Sequence, residues 1–572
     1  MTLAGIALAL AACGGGGGEG PVGGQGGSSQ GGSGGGGVVE PGSSDKVDLV
    51  FVVDNSRSMQ AKHEFLAASA GELLGRLVNP PCVDATGAET TPSDADAACP
   101  TGSERLHVPV RDLHVGVISN SIGSVGGDAC DPGAVGNLSF SVNDRAHLLD
   151  RSGVSAGDPP VPTYEGRRFL VYDRDGSHSP PGEAEVEVVT ARLGELMAGV
   201  REVGCGYEHS LEAMYRFLVD PQPYTSVEIV DGLAVPTGTD AELLAQRAEF
   251  LRPDSVVMVV LLSDENDCSV RAGGSSYLLQ QLGNNYRMPR ARAACAVDPQ
   301  DACCRSCDEP PGPGCDDSKD ACNTPLSLSE DHPNMRCWDT KRRFGVDFLQ
   351  PIDRYVSGLT DPQVATYDGV PMPNPLITAD RDPTMIYLST IVGVPWQLLS
   401  QSEDPAAPPL STPELDAAGA WPSLVGDFEE GVPPSDPHMV ESIEPRPGLS
   451  TTPGSDPITG NEALHPDHDD LQAACIFRLP EPLDCSIQSG QACDCAYVGN
   501  PDNSPLCMDQ LQTHAQARPG LRLLELTRRL DERGVPGSAC VRQTTEPSAP
   551  DFGYRPALRA LTRAAARSIA TP

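Results

Sequence analysis

Asp54, Ser56 and Ser58 stand at alternate positions directly after an almost wholly apolar run, residues 47–53. One carboxylate and two hydroxyls so spaced offer three hard oxygen donors, the ligand type that divalent cations such as Mg²⁺, Mn²⁺ or Ca²⁺ take. A second acidic turn follows the strongest apolar run in the chain, residues 255–262, and reads Ser263-Asp264-Glu265-Asn266-Asp267-Cys268. If the two runs are neighbouring strands, Asp54, Asp264, Glu265 and Asp267 crowd one rim. Like charges so placed raise one another's pKa unless a cation neutralises them. The competing reading is a helix cap at Asp54 or Ser56 and a solvated acidic loop at Asp264.

What must position these groups is a set of alternating strands and helices. An apolar run such as residues 47–53 reads as a strand buried on both faces of a parallel sheet. Open α/β sheets bind ligands beyond the carboxyl ends of such strands. Residues 60–78 place Leu66, Ala70, Leu73 and Leu77 on one helical face. Residues 113–119, 255–262, 385–392 and 537–541 read as further strands. Residues 183–202, 208–219, 345–359, 521–533 and 554–569 read as helices. The order predicts an α/β fold, a doubly wound and mostly parallel central sheet flanked by helices. Long irregular insertions interrupt it at about 79–110, 120–182, 268–344 and 393–520.

Asp54-x-Ser56-x-Ser58 after the first strand, with Asp264 after a later central strand, resembles the von Willebrand factor type A (VWA) domain. The resemblance covers the framework from about residue 46 to 570, without the insertions. It implies a metal-ion-dependent adhesion site (MIDAS), in which the two serines bind Mg²⁺ or Mn²⁺ directly and Asp54 and Asp264 act largely through water. An acidic side chain of a protein partner then completes the octahedron. The family's threonine has no counterpart here. The corresponding loop reads Gly204-Cys205-Gly206-Tyr207-Glu208-His209-Ser210, so Glu208 or Ser210 is the candidate oxygen there. These variant loops resemble those of cysteine-rich lipoproteins predicted in myxobacteria-like bacteria.

The start of the chain points outside the cytoplasm. Residues 3–12 are apolar and end Leu10-Ala11-Ala12-Cys13, which resembles the lipobox of bacterial lipoproteins. That implies a signal peptide over residues 1–13, cleavage before Cys13 and a diacylglycerol on its thiol. Residues 14–45 are Gly/Ser-rich and form a flexible tether. Gly14 and Gly15, rather than Asp, follow Cys13, which favours the outer membrane, periplasmic or surface-facing, within the cell envelope. The lipid is then the only membrane contact, because no other apolar run approaches the length of a span.

Cysteine usage agrees with that compartment. Of 19 cysteines, Cys13 is the lipid acceptor. The rest are disulfide candidates in an oxidising environment: Cys82, Cys99, Cys130, Cys205, Cys268, Cys295, Cys303, Cys304, Cys307, Cys315, Cys322, Cys337, Cys475, Cys485, Cys493, Cys495, Cys507 and Cys540. They sit mostly in the insertions, where staples are needed to order loops of this length. Their spacing does not form paired Cys-x2-Cys zinc units.

A net charge of −39 over 572 residues disfavours nucleic acid and anionic lipid as partners. No hydrolase elbow, zincin or phosphate-loop motif is present. The expected function is therefore a non-enzymatic, lipid-anchored binding protein that presents a metal-capped face to a protein or glycan ligand. The alternatives are a metal-assisted hydrolase built on His465 and His468, or a structural envelope protein with a vestigial metal site. Asp173-Arg174-Asp175-Gly176 lacks the later ligands of a calcium loop and reads as a turn.

Overall fold

The computed structural model describes residues 42–130, 142–152, 158–204, 206–402, 404–405, 407–428, 430–486, 493–495 and 498–570. The signal segment, Cys13, nearly all of the tether and Cys205 lie outside the described residues. Residues 42–45 belong to the fold: Gly42 N–H donates to Thr384 Oγ1 and Ser44 bridges to Ile569.

The chain lays down β1 (Lys46–Val53), α1 (Gln60–Val78), β2 (Asp112–Ser119), β3 (Leu170–Asp173), α2 (Val186–Val200), α3 (Ser210–Leu218), α4 (Ala241–Phe250), β4 (Val256–Leu262), α5 (Ile352–Thr360), β5 (Ile386–Val392), α6 (Leu521–Arg529), β6 (Gly534–Ser538) and α7 (Arg555–Ala565). The six strands form one sheet in the order β6-β5-β4-β1-β2-β3, parallel except for β3, which runs antiparallel to β2 at the edge. The expected mixed α/β architecture is present, with a mostly parallel central sheet and flanking helices.

Continuous apolar sequence is what a doubly covered strand requires. All of β4 and β5, and β1 after Lys46, are buried. The one charged residue among these buried positions is Asp48, whose carboxylate is met by Arg252 Nε at 2.8 Å and by the Arg252 backbone N–H at 2.8 Å. Helix α1 packs on α2 and α7; α3 packs on α4 and α5, and α5 on α6. The chain winds outward from β1 to β2 and β3, then crosses back to β4 and continues to β5 and β6. Its direction therefore reverses between β1 and β4, and such a switch point opens a crevice at the carboxyl ends of the two strands.

Several element boundaries differ from expectation, each for a local reason. The helix expected over residues 345–359 begins only at Ile352. Gly345 takes φ +79°, ending a short helix at Thr340–Phe344, and Pro351 starts the next. The last strand begins at Gly534 rather than residue 537, where it first pairs with β5 opposite Leu388; Gly534 lies against the Thr527 carbonyl, where a Cβ would stand 2.0 Å from oxygen. The edge strand β3 lies within the insertion expected at 120–182, and helix α4 lies in residues 220–254, for which no element is expected.

The insertions are stapled as their cysteines suggested. Cys82–Cys99 closes a small three-stranded sheet. Cys268–Cys337, Cys295–Cys304, Cys303–Cys315 and Cys307–Cys322 hold the insertion after β4. Cys485–Cys493, Cys495–Cys507 and Cys475–Cys540 order the one before α6, around an antiparallel sheet of Cys475–Asp484, Cys507–Met508 and Leu511–Ala517. Cys130 is disulfide-bonded as well. Among the described residues no helix is long and apolar enough to cross a membrane.

Candidate metal centre

Strands β1 and β4 are direct neighbours with Val53 opposite Leu262, so their acidic turns begin level with each other. The Asp54 backbone N–H donates to the Leu262 carbonyl at 2.9 Å, extending the ladder to the rim. Asp54 then curls back. Its Oδ1 accepts the Ser56 N–H at 2.8 Å and its Oδ2 accepts the Ser263 hydroxyl at 2.6 Å. Helix α1 does not use these side chains as caps: it begins after Met59 with no side-chain cap, and the Gln60 N–H goes to Glu202 Oε1. The helix-cap alternative for Asp54 and Ser56 is thereby removed.

Asp264 lies across this turn. Its Oδ2 accepts the Ser58 hydroxyl at 2.5 Å and the Lys62 ammonium at 2.7 Å, and Lys62 also donates to the Ser58 carbonyl at 2.9 Å. Both members of the Lys62–Asp264 pair are completely buried. Sequence reasoning missed Lys62. The signal was its place four residues before Leu66, on the buried stripe of α1, where a lysine needs a partner.

The loop bearing Glu208 and Ser210 joins the same place. Gly204 N–H donates to the Asn55 carbonyl, and a Cβ at Gly204 would lie 2.4 Å from Asn55 Oδ1, so only glycine permits this approach. Glu208 accepts the Cys268 N–H on its backbone carbonyl, which ties its loop to the second acidic turn. Ser210 is buried and its hydroxyl faces Asn120 Nδ2 at 3.5 Å. Asp267, by contrast, is spent on structure: it accepts the Leu211 N–H and the Ser269 hydroxyl and pairs with Arg522.

The electrostatics divide the carboxyls into two kinds. Burial, and then the charge of Asp264, push Asp54 up to about 6. Burial, followed by Glu265 and Asp54, raises Glu208 well above the usual range, and burial pushes Glu265 up to about 7 although Arg518 opposes it. Asp264 alone goes the other way. Burial works against its charge, but Lys62 and then Arg518 hold it below the ordinary carboxylate value. A region with this many strained carboxyls has unmet demand for positive charge.

Buried polar atoms without a protein partner test whether a cation fits. Such atoms are rare in folded proteins and call for an explanation. Ser56 Oγ, Asp264 Oδ1 and both side-chain polar atoms of Asn55 are buried without a well-formed hydrogen bond to protein. Ser56 Oγ and Asp264 Oδ1 are two of the oxygens a hard cation needs, and Ser58 and Asp54 lie in the same turn. Lys62 departs from the donor set because it already supplies one positive charge to Asp264.

A cleft of about 1080 Å³ opens over this floor, lined there by the largely buried Ser56, Ser58, Glu208 and Glu265. Its walls come from the stapled insertions, including Met335 and Trp338 from one and Phe428 and Glu441 from the other. His468 pairs with Glu444 at 3.4 Å on the surface, and neither it nor His465 belongs to a group of three ligand residues among the described residues. Asp173 closes a turn, accepting N–H groups of Ser177, His178 and Gly182.

The chain matches no family model, no curated protein and no solved structure.

Proposed function

We propose that this chain is a VWA-like, non-enzymatic binding protein. It is lipid-anchored through Cys13 in the cell envelope and takes Mg²⁺ or Mn²⁺ with Asp54, Ser56, Ser58 and Asp264. Glu208 is the added acidic neighbour and the cleft receives an acidic group of a protein or glycan ligand. The observation that carries this reading is the buried Asp264 Oδ1, without a protein partner, together with Ser56 Oγ, which makes no well-formed hydrogen bond and leans on the Asp54 carboxylate, beneath a cleft at the sheet's switch point. The strand order, with its antiparallel edge, is compatible with the resemblance. A second reading, a structural protein with a vestigial metal site, draws on Lys62, whose ammonium already occupies one oxygen of Asp264.

Mg²⁺ binding should raise Tm by mass action, with about 2.7 kcal/mol of stabilisation at a hundredfold excess over Kd. The effect should depend on pH. Protons on Asp54 and Glu265 compete with the cation, and these groups lose them near about 6 and about 7. The cation-bound form therefore binds fewer protons, so affinity rises with pH. The Mg²⁺-induced shift should be small below pH 6 and grow as pH rises through 7, further still as the raised Glu208 gives up its proton. Asp54→Asn, which keeps the side chain's volume, should abolish it. Melting curves identical with Mg²⁺ and with chelator above pH 7 would remove the metal from this proposal.

A further inference from the structure

Far from the cleft, at the amino-terminal end of β2, Asp112, His114 and His178 bring three ligand-type side chains together. One potential ligand atom from each lies within 4.8 Å of the others. Asp112 and His114 are alternate residues of one strand and so share a face of the sheet. His178 arrives from the turn after β3, where its backbone N–H is fixed by Asp173 Oδ2 at 2.9 Å. Its Nε2 lies 3.0 Å from Asp112 Oδ1.

His114 supplies the independent observation. Its side chain is 5 % exposed, and Nδ1 donates to the Phe250 carbonyl at 2.8 Å. That bond leaves Nε2 as the nitrogen free to accept a metal, and Nε2 is buried with no partner. A ligating histidine whose other nitrogen donates to a backbone carbonyl is oriented as metal sites orient it. Arg252 pairs with Asp112 and with Asp48, so the guanidinium holds the carboxylate in place while Asp48 offsets its charge. The side chains of Asp112 and His178 are 18 % and 21 % exposed, which leaves a path for an ion and room for a water ligand.

We propose that Asp112, His114 and His178 form a second metal site, independent of the cleft, that binds Zn²⁺. Two imidazoles and one carboxylate are a borderline donor set that suits Zn²⁺ and disfavours Mg²⁺ and Ca²⁺. The ion fastens the turn after the edge strand β3 to β2.

The test is Zn²⁺ titration of the metal-stripped, disulfide-intact chain by calorimetry, against Mg²⁺ as comparison. One Zn²⁺ per chain is expected, with no heat from Mg²⁺ at this site. His178→Ala, at a part-exposed position outside the core, should weaken Zn²⁺ binding by about tenfold or more. Asp54→Asn should leave it unchanged, which separates this site from the cleft. Co²⁺ substitution should give the visible absorption of a low-coordinate nitrogen/oxygen site in the parent chain and lose it in His178→Ala. Absence of Zn²⁺ binding, or binding that survives His178→Ala undiminished, overturns the proposal.

Discussion

Lys62→Met should destabilise the chelator-treated protein by roughly 3–5 kcal/mol, the usual consequence of stranding one member of a buried ion pair. The pair is completely buried, and the ammonium serves both Asp264 Oδ2 and the Ser58 carbonyl. Without it Asp264 keeps one hydroxyl, from Ser58, and its Oδ1 is already without a partner. The two readings of the site then diverge. If the site takes a divalent cation, Mg²⁺ should restore most of the lost stability in Lys62→Met and bind more tightly than in the parent chain. If Lys62 is the permanent cation of a vestigial site, Mg²⁺ should restore nothing. Lys62→Met combined with Asp264→Asn removes both charges and should recover stability in chelator, showing that the loss comes from the stranded carboxylate.

Arg446→Met should cost about as much, roughly 3–5 kcal/mol, for the same physical reason in a different place. Arg446 and Glu462 are 1 % and 0 % exposed and meet in a two-pronged contact of 2.9 and 2.7 Å. The remaining guanidinium donors reach the carbonyls of His438 and Ala473 at 2.8 and 2.7 Å. One side chain thus gathers three stretches of an insertion that has little regular structure. Neighbouring residues Val440, Glu441 and Leu471 line the cleft. Denaturant unfolding should show the lost stability, and limited proteolysis should cut within residues 438–473 in the variant and spare the parent. Arg111→Met is the comparison. Its partner Asp175 is 55 % exposed and Arg111 itself 41 %, so its loss should change stability by about 1 kcal/mol or less.

The parts of the fold that were legible were those whose residue types admit one environment. Residues 255–262 carry no charge and sit at the centre of the sheet, so the apolar run alone placed β4. The cysteines of the insertions pair largely within those insertions, and oxidising chemistry makes their even number readable. Edge strand β3 was not legible. Its Leu-Val-Tyr-Asp is short, pairs with β2 on one side and meets only the isolated bridge of Glu183 on the other, and is followed by a turn that periodicity cannot distinguish from loop. The strand Cys475–Asp484 was hidden by Pro480 and Pro482, which the pairing accommodates by an irregularity between Arg478 and Leu483.

The candidate site shows the same division. Asp54, Ser56, Ser58 and Asp264 could be singled out because acidic and hydroxyl groups directly after buried strands have few other reasons to be there. Lys62 was in view but unread, because a single lysine in an amphipathic helix is ordinarily a solvated one. The Asp112/His114/His178 group could not have been found from spacing. His178 follows His114 by a long excursion and returns only because β3 pairs antiparallel with β2.

The decisive observation is the anomalous scattering of Mn²⁺ in crystals of the chain grown or soaked at millimolar Mn²⁺, above pH 7. A peak is expected among Ser56 Oγ, Ser58 Oγ and Asp264 Oδ1, with oxygen distances of roughly 2.0–2.6 Å, the range of hard divalent cations. Ordered crystals at that concentration with no peak there, and Lys62 still paired with Asp264, would contradict the assignment of this turn as a cation site.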